Sequence, residues 1–248
     1  VLTFDDGYKS MITHVYPVLK KRRIPFTIYV TTGPVERNEL IWTDAVFQFL
    51  EEGDPGLAKH LGFGPIQDDR KSKVAFLNRL KQMDVRKRIE IIAQILPLQK
   101  KGSTPYLAPN PFEMLTVEDI RTLSNDPLVT IGAHTVNHEI LTRMPLDQAA
   151  EEIRGSKEAL EAWTGQKIYH FSYPNGEYNN ELKDNVREMG FRSATRIGLR
   201  INWHRRRFEL CRVGTDPLDD YKIFCAMVNG IIPLKMEMKS AYRHVSKH

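Results

Sequence analysis

Short apolar runs and longer amphipathic stretches alternate along most of this chain. The runs at residues 1–4 and 26–31 are rich in β-branched and aromatic side chains, which is typical of buried strands. Between them, the apolar positions of residues 11–22 recur at helical spacing. After residue 112 the pattern predicts further strands at 128–133, 168–173, 193–197 and 208–213, and helices at 145–164 and 180–189. Repeated strand–helix units indicate a parallel α/β fold, and periodicity alone leaves open a barrel or a doubly wound sheet.

One long stretch interrupts this alternation. Between about residues 36 and 112 the pattern is helical at 43–51, 69–83 and 85–96, with Gly- and Pro-containing turns between these segments. The amphipathic spacing indicates a helical insertion rather than a linker. Alternation resumes at Thr116, which together with Asp119 predicts a capped helix start. We therefore expect one domain over residues 1–248, with this insertion and a basic tail at about 235–248.

Two adjacent carboxylates stand where the first predicted strand ends. Asp5 and Asp6 are followed by Gly7, which lets the backbone turn so that both side chains can converge on one site. Two like charges held this close are unfavourable unless a proton or a cation relieves them. The pattern indicates a metal site, although Asp-Asp-Gly is also a common plain turn.

Two histidines follow another short strand that is rich in β-branched residues. His134 and His138 are four residues apart, so in a helical turn both imidazoles face one ion. Imidazole together with carboxylate suits Zn²⁺, and Fe, Co, Ni or Mn also fit these ligand types. The motif differs from the His-Glu-x-x-His of zinc proteases, because Thr135 occupies the position of the glutamate.

Three segments carry a resemblance to a known family. Residues 3–7 (TFDDG), the pair His134 and His138, and residues 171–176 (FSYPNG) resemble the first three motifs of the polysaccharide deacetylases, the NodB-homology group or carbohydrate esterase family 4. Order and spacing match from residue 1 to about residue 215. The third motif differs, because many members have an arginine where this chain has Ser172. Its Tyr-Pro-x-Gly form resembles the branch that includes deacetylases of exported poly-N-acetylglucosamine.

The resemblance implies a fold, an activity and a set of site residues. The fold is an α/β protein, a distorted (β/α)7 barrel of the NodB-homology type with a helical insertion. The activity is metal-dependent removal of acetyl groups from an N-acetylated glycan, with one divalent ion, Zn²⁺ first and Co²⁺, Ni²⁺, Fe²⁺ or Mn²⁺ as alternatives. The implied roles are metal ligands Asp6, His134 and His138, general base Asp5, oxyanion donor Asn175 through its backbone N–H, and substrate-loop residues Tyr173, Pro174 and Gly176.

One role of the family has no recognisable residue in this sequence, and the histidines outside the motifs that could fill it are His14, His60, His204, His244 and His248. Protonation of the leaving amine is typically performed by a histidine near the C-terminus, and no Leu-x-His-like strand end occurs there. His170 precedes the third motif and is misplaced for this role. The fourth motif, an Asp/Trp segment, is not recognisable either, since Trp203 has no aspartate nearby. We consider three aromatic residues as candidates for sugar stacking or core packing: Trp42, Tyr106 and Phe112.

Charge and composition narrow the classes of partner. The chain has 36 basic and 31 acidic residues, a net charge of +5, and nothing that resembles a nucleic-acid-binding module. No apolar run reaches the length of a membrane span. Because the chain begins inside a strand and without Met, we expect the natural N-terminus to lie upstream. The resemblance is compatible with an extracellular or cell-envelope location, and the sequence itself assigns neither location nor oligomeric state.

Two alternatives to glycan deacetylation remain at this point. The same ligand set serves a hydrolase that opens small cyclic amides or imides on the same scaffold. The missing acid and the Arg-to-Ser difference instead suggest a carbohydrate-binding relic without catalysis. Asp5 argues against the relic, because a binding protein has no use for a base beside the metal.

Overall fold

Six parallel strands form a single sheet in which neighbours in sequence are also neighbours in space. The computed structural model describes residues 1–52, 69–95, 111–198, 200, 202, 206–214 and 220–232. The strands are β1 Leu2–Phe4, β2 Phe26–Val30, β3 Val129–Ala133, β4 His170–Ser172, β5 Ser193–Ile197 and β6 Leu210–Arg212. The sheet curls into a half-barrel surrounded by helices, which confirms the predicted parallel α/β fold. The described residues provide six strands where the predicted barrel has seven.

Helices occupy the first four connections between strands. They are α1 Tyr16–Lys21, α2 Thr32–Arg37, α3 Trp42–Glu52, α4 Arg70–Lys81, α5 Val85–Ile95, α6 Val117–Ser124, α7 Leu146–Thr164 and α8 Asn180–Glu188, and α9 Tyr221–Val228 follows β6. A π-helical turn, Met11–Val15, precedes α1, and 3₁₀ turns lie at Leu141–Arg143 and Pro174–Gly176. Among the described helices, none combines the length and apolarity needed to cross a membrane.

Local capping signals explain several helix starts. The Thr116 hydroxyl accepts from Asp119 N, and the Asp119 carboxylate accepts from Thr116 N, which is the capping box that the sequence predicts. The carboxylate of Asp69 accepts from Ser72 N at the start of α4. These side chains satisfy backbone N–H groups that the first turn of a helix leaves free. The helix starts expected near 69 and 116 are therefore confirmed.

Two features of the helices differ from the sequence-based expectation. The segment 11–22 is divided into the π-helical turn and α1, and Pro17 lies in the first turn of α1. Proline lacks an N–H and fits only there in an α-helix, so a new helical segment begins beside it. Helices α2 and α9 were not expected; α2 is only six residues long and contains Gly33 and Pro34, whose intrinsic helix propensity is low.

The insertion has a hydrophobic core of its own. Its helices α3, α4 and α5 bury one cluster between them, consisting of Val46, Phe49, Phe76, Leu80, Ile91 and Ile92. The main core lies between the sheet and the surrounding helices, and β2 is buried at all five positions. The insertion is thus a small packed unit that can hold side chains in fixed positions. Tyr106, Trp203, His204 and the predicted tail 235–248 lie outside the described residues.

Candidate active site and metal centre

The carboxyl ends of four strands bring the polar side chains of the motifs together. Parallel pairing aligns these ends, with Val30 opposite Ala133 and Ser172 opposite Thr195. The polar residues at this rim are Asp5 and Asp6 after β1, His134 after β3, Ser172 at the end of β4 and Arg212 at the end of β6. This rim is where parallel barrels place their active sites.

Asp6, His134 and His138 form a group that could hold a metal ion. One ligand atom from each lies within 4.8 Å of the others. Asp6 Oδ1 is 3.4 Å from His134 Nε2 and 3.2 Å from His138 Nε2. This oxygen is buried and has no hydrogen bond of acceptable geometry among the described residues. Buried carboxylate oxygens normally accept a hydrogen bond, and this one instead faces two imidazole nitrogens. Such an arrangement fits a site in which all three atoms bind a cation.

A backbone carbonyl fixes the orientation of the first imidazole. His134 is 2 % exposed, and its Nδ1 lies 2.7 Å from the carbonyl oxygen of Ser172. Nδ1–H therefore donates to this oxygen, and the lone pair of Nε2 is directed at Asp6. A hydrogen bond of this kind sets the tautomer and ring orientation of ligating histidines.

The insertion holds the second imidazole through the backbone. Trp42 Nε1 in α3 donates to the carbonyl oxygen of His138 at 3.1 Å. The neighbouring Glu139 forms a buried ion pair with Arg88 of α5, and the Arg88 guanidinium covers the Trp42 ring at 4.8 Å. Trp42, a candidate for sugar stacking or core packing, thus contacts the loop that carries the candidate ligand His138 and also contacts Arg88.

Backbone strain is concentrated at the motifs. The described residues contain six non-glycine residues with positive φ, and four of them belong to the three motifs: Asp6, Thr135, His138 and Asn175. A left-handed conformation costs about 1–2 kcal/mol for a residue with a side chain. Such conformations persist only where the surrounding structure enforces them, and they cluster at functional sites.

Arg212 clamps the predicted base. Its Nη1 donates to Asp5 Oδ1 and its Nη2 to Asp5 Oδ2, both at 2.5 Å, so the pairing is bidentate. Ser172 Oγ also donates to Asp5 Oδ2, at 3.2 Å. Burial raises the pKa of Asp5, but the charges of His134 and Arg212 outweigh it and leave this pKa below its usual value. Asp5 is therefore held as an anion beside the three candidate ligands.

Arg212 also explains the departure in the third motif. Its Nη2 donates to Ser172 Oγ at 2.8 Å, so its guanidinium lies beside the position where many family members have arginine. Sequence reasoning missed Arg212. The signal in the sequence was an arginine at the end of a predicted strand, in a chain whose third motif lacks the arginine that many family members have.

The third motif forms a tight turn beside the ligands. Tyr173 is 1 % exposed, and its hydroxyl donates to Phe208 O, so its side chain supports the turn from inside. Pro174 is buried, and Gly176 is left-handed. Asn175 exposes its side chain, and its N–H makes no backbone hydrogen bond to the other described residues. Substrate contact by these residues stays a prediction.

Two further ionisable residues of the insertion face this site, and the sequence did not reveal them. Asp44 in α3 accepts from the Tyr8 hydroxyl at 2.8 Å. Burial, together with the charge of Asp6, raises the pKa of Asp44 to about 6, against the hydrogen bond from Tyr8. Lys81, the last residue of α4, is half-buried, and its Nζ lies 3.4 Å from Asn175 Oδ1.

The fold and the site together define the class of protein: a parallel α/β protein with a buried, arginine-paired carboxylate and a candidate metal group at the carboxyl rim of its sheet. A family model described as polysaccharide deacetylase matches residues 1–194. The chain therefore belongs to the polysaccharide deacetylase family, whose members hydrolyse acetyl groups from polysaccharides. A comparison with curated protein sequences finds no match.

Solved structures of deacetylases share this fold. The deacetylase PplD of Streptococcus pyogenes, in complex with acetate, is 18% identical with a TM-score of 0.57, over 91% of this chain and 68% of that one. IcaB from Ammonifex degensii is 21% identical with a TM-score of 0.53, over 92% and 71%. A de-N-acetylase from Aggregatibacter actinomycetemcomitans is 16% identical with a TM-score of 0.54, over 92% and 74%. The predicted NodB-type fold class is confirmed.

Proposed function

We propose that this protein is a metal-dependent deacetylase that hydrolyses the N-acetyl group of N-acetylglucosamine units in a glycan. The observation that carries the proposal is the separation of roles between two adjacent carboxylates. Asp6 lies within 3.4 Å of both His134 and His138, whereas Asp5, which is 3.7 Å from His134 alone, is paired with both terminal nitrogens of Arg212 and stays anionic. A site that only binds a ligand needs the arrangement around Asp6 alone. Hydrolysis also needs the arrangement around Asp5, because a base must accept a proton from the attacking water.

The residues present fit a divalent ion, with Zn²⁺ as the first choice. Asp6, His134 and His138 would supply one carboxylate and two imidazole ligands, which leaves positions open for water and substrate. Co²⁺, Ni²⁺, Fe²⁺ and Mn²⁺ are compatible with the same donors. When bound, such an ion lowers the pKa of water and polarises the acyl oxygen.

The chain's own residues account for the attack on the acetamide. Asp5 takes one proton from the attacking water while Arg212 keeps both of its carboxylate oxygens in place. The tetrahedral intermediate carries an oxyanion, which needs a fixed donor. The backbone N–H of Asn175 is the donor we assign, because the neighbouring N–H groups of Gly176 and Glu177 already donate within the turn.

The test combines metal content with acetate release. We expect about one equivalent of Zn²⁺ per chain in protein purified without chelator, and loss of this metal in His134→Ala. The matched control is His14→Ala, because His14 lies exposed in the π-helical turn and should keep both metal and activity. Acetate release is measured on oligomers of chitin, peptidoglycan and poly-N-acetylglucosamine.

The outcomes separate the competing functions. Acetate release from a glycan that disappears in His134→Ala supports the proposal. Turnover of a cyclic imide without any acetate release supports a small-molecule amidohydrolase on this scaffold instead. Oligosaccharide binding without turnover under any of the five metals supports a binding relic and overturns the proposal.

A further inference from the structure

Cleavage of the amide requires an acid that the family motifs do not provide in this chain. As the C–N bond breaks, the nitrogen leaves as an amine only if it receives a proton. Apart from the two candidate ligands, the described histidines are His14 and His170. His14 is exposed on the π-helical turn. His170 begins β4, at the end of the sheet opposite the rim, and its Nδ1 lies 2.8 Å from Ser193 Oγ. Neither histidine is therefore placed to protonate the leaving nitrogen.

Lys81 is the proton-carrying side chain that the insertion brings to the third-motif turn. Its Nζ lies 3.4 Å from Asn175 Oδ1, beside the residue whose N–H we assign to the oxyanion. Leu80, its neighbour in α4, is completely buried in the core of the insertion, which fixes this end of the helix. The ammonium group therefore lies beside the third-motif turn, close enough to Asp6 for the charge of this carboxylate to act on it.

The surroundings of Lys81 differ from those of a structural lysine. On the same helix, Lys73 forms an ion pair with Glu51 at 3.1 Å. Lys81 is half-buried, yet its ammonium forms no ion pair of this kind within the described ranges. Its ammonium donates to the neutral Asn175 Oδ1, and a partly buried charge without an ion-pair partner is unfavourable. A role toward the substrate accounts for this position better than stability does.

We propose that Lys81 is the general acid that protonates the leaving nitrogen of the glycan. This inference rests on the proposed deacetylase function and assigns its unfilled role. The electron pair of the breaking C–N bond stays on the nitrogen, which takes a proton from Lys81 Nζ. Asp5 then holds the proton taken from water and returns it, through solvent, to the neutral amine of Lys81. One water is consumed, and acetic acid and a free amine are formed, between which a proton then moves to give acetate and an ammonium group.

The charges around Lys81 suit this role. Burial lowers its pKa, while the carboxylates of Asp6, Asp44 and Glu177 act in the opposite direction, and the net effect is a pKa below the usual value. Glu177 is itself paired with Arg143, at 3.5 Å. A cation bound at Asp6 would cancel one of the three negative charges and lower the pKa of Lys81 further. A general acid is most effective when its pKa lies near the working pH.

The deciding experiment compares two leaving groups in Lys81→Met. The amide substrate is the N-acetylglucosamine tetramer, whose nitrogen must be protonated. The ester substrate is 4-nitrophenyl acetate, whose leaving group departs as an anion. We expect the ratio of amide to ester kcat/KM to fall by about 10²–10⁴-fold, the usual contribution of acid–base catalysis. Lys81→Arg should show the same fall, because a guanidinium keeps the charge but does not release its proton.

Lys71→Met is the matched control, since Lys71 lies exposed on the same helix. It should keep the amide-to-ester ratio of the wild-type protein. The alkaline limb of the kcat profile should be present in wild type and absent in Lys81→Met, while metal content is the same in both. Equal losses on the two substrates, or an active Lys81→Arg, would overturn the assignment. If wild type releases no acetate from any glycan, the proposed function itself fails, which is a separate result.

Discussion

Arg212 and Asp5 form a bidentate pair that joins the last described strand of the sheet to the first. The two residues are 207 positions apart, and the same guanidinium also donates to Thr3 Oγ1 at 3.1 Å. Strands β1 and β6 are not hydrogen-bonded neighbours, so this side chain bridges the open side of the half-barrel. The base is thereby oriented by the opposite edge of the sheet.

The first prediction concerns the geometry of this pair. In Arg212→Lys a single ammonium cannot hold both carboxylate oxygens, so Asp5 loses its fixed orientation. We expect kcat/KM to fall by about 10²-fold, the usual effect of a misplacement of about 1 Å. Metal content should stay unchanged, because the three candidate ligands are untouched. Arg212→Lys with wild-type kcat/KM would show that bidentate pairing is dispensable.

The second prediction moves the arginine from position 212 to position 172, where many members of the family have it. Ser172 is completely buried and already accepts from Arg212, so Ser172→Arg forces a second guanidinium into a filled space. We expect this variant to lose about 1–3 kcal/mol of unfolding free energy, as overpacked cores do, and most of its activity. Ser172→Arg combined with Arg212→Ser should recover both, measured by urea unfolding and acetate release. A double variant as impaired as the worse single variant would contradict the exchange.

The third prediction tests the attachment of the insertion to the metal-binding loop. Arg88 is completely buried against Glu139, which follows the candidate ligand His138. Arg88→Met leaves a buried carboxylate without its partner, so we expect a loss of about 3–5 kcal/mol in urea unfolding. Adding Glu139→Gln should recover part of this loss. Arg86→Met, on the exposed side of the same helix, should be neutral.

The fourth prediction separates backbone strain from crowding at the third-motif turn. Gly176 and Gly165 have nearly the same φ, +71° and +69°, but a Cβ on Gly176 would lie 2.9 Å from Ile197 N, whereas Gly165 has open space. Gly165→Ala should therefore cost only the left-handed conformation, about 1–2 kcal/mol. Gly176→Ala should cost about 1–3 kcal/mol more and reduce deacetylation. Equal losses of unfolding free energy in the two variants, measured by thermal or urea unfolding, would show that the turn can shift to make room for the added Cβ.

The fifth prediction is a pH effect on stability. Asp44 has a pKa of about 6 in the folded, metal-free chain against an ordinary value of 3.8, so the folded state binds more protons between these values. The contribution of Asp44 to unfolding free energy therefore falls as pH rises from about 4 to about 6, by at most about 3 kcal/mol. In Asp44→Asn this slope should be absent. Zn²⁺ should reduce the slope in wild type, because it neutralises Asp6.

How far the fold and the site can be predicted from the sequence depends on how far apart along the chain the interacting residues lie. The β-rich runs predicted the strands, and Thr116 with Asp119 predicted a helix start, because those signals act within a few residues. The motif residues pointed to the rim because parallel strands end on one side. Arg212, Asp44 and Lys81 could not be assigned in this way. Their positions depend on how β6 and the insertion pack against the rim, which no local pattern encodes.

The bridge between β6 and β1 has a consequence for how this enzyme becomes competent during synthesis. The predicted base Asp5 is synthesised 207 positions before its guanidinium partner, which lies beyond the family-matched residues 1–194. A nascent chain that has completed every recognisable motif therefore still carries a base without its counter-ion. We therefore expect Asp5 to gain its fixed orientation only after β6 has joined the sheet.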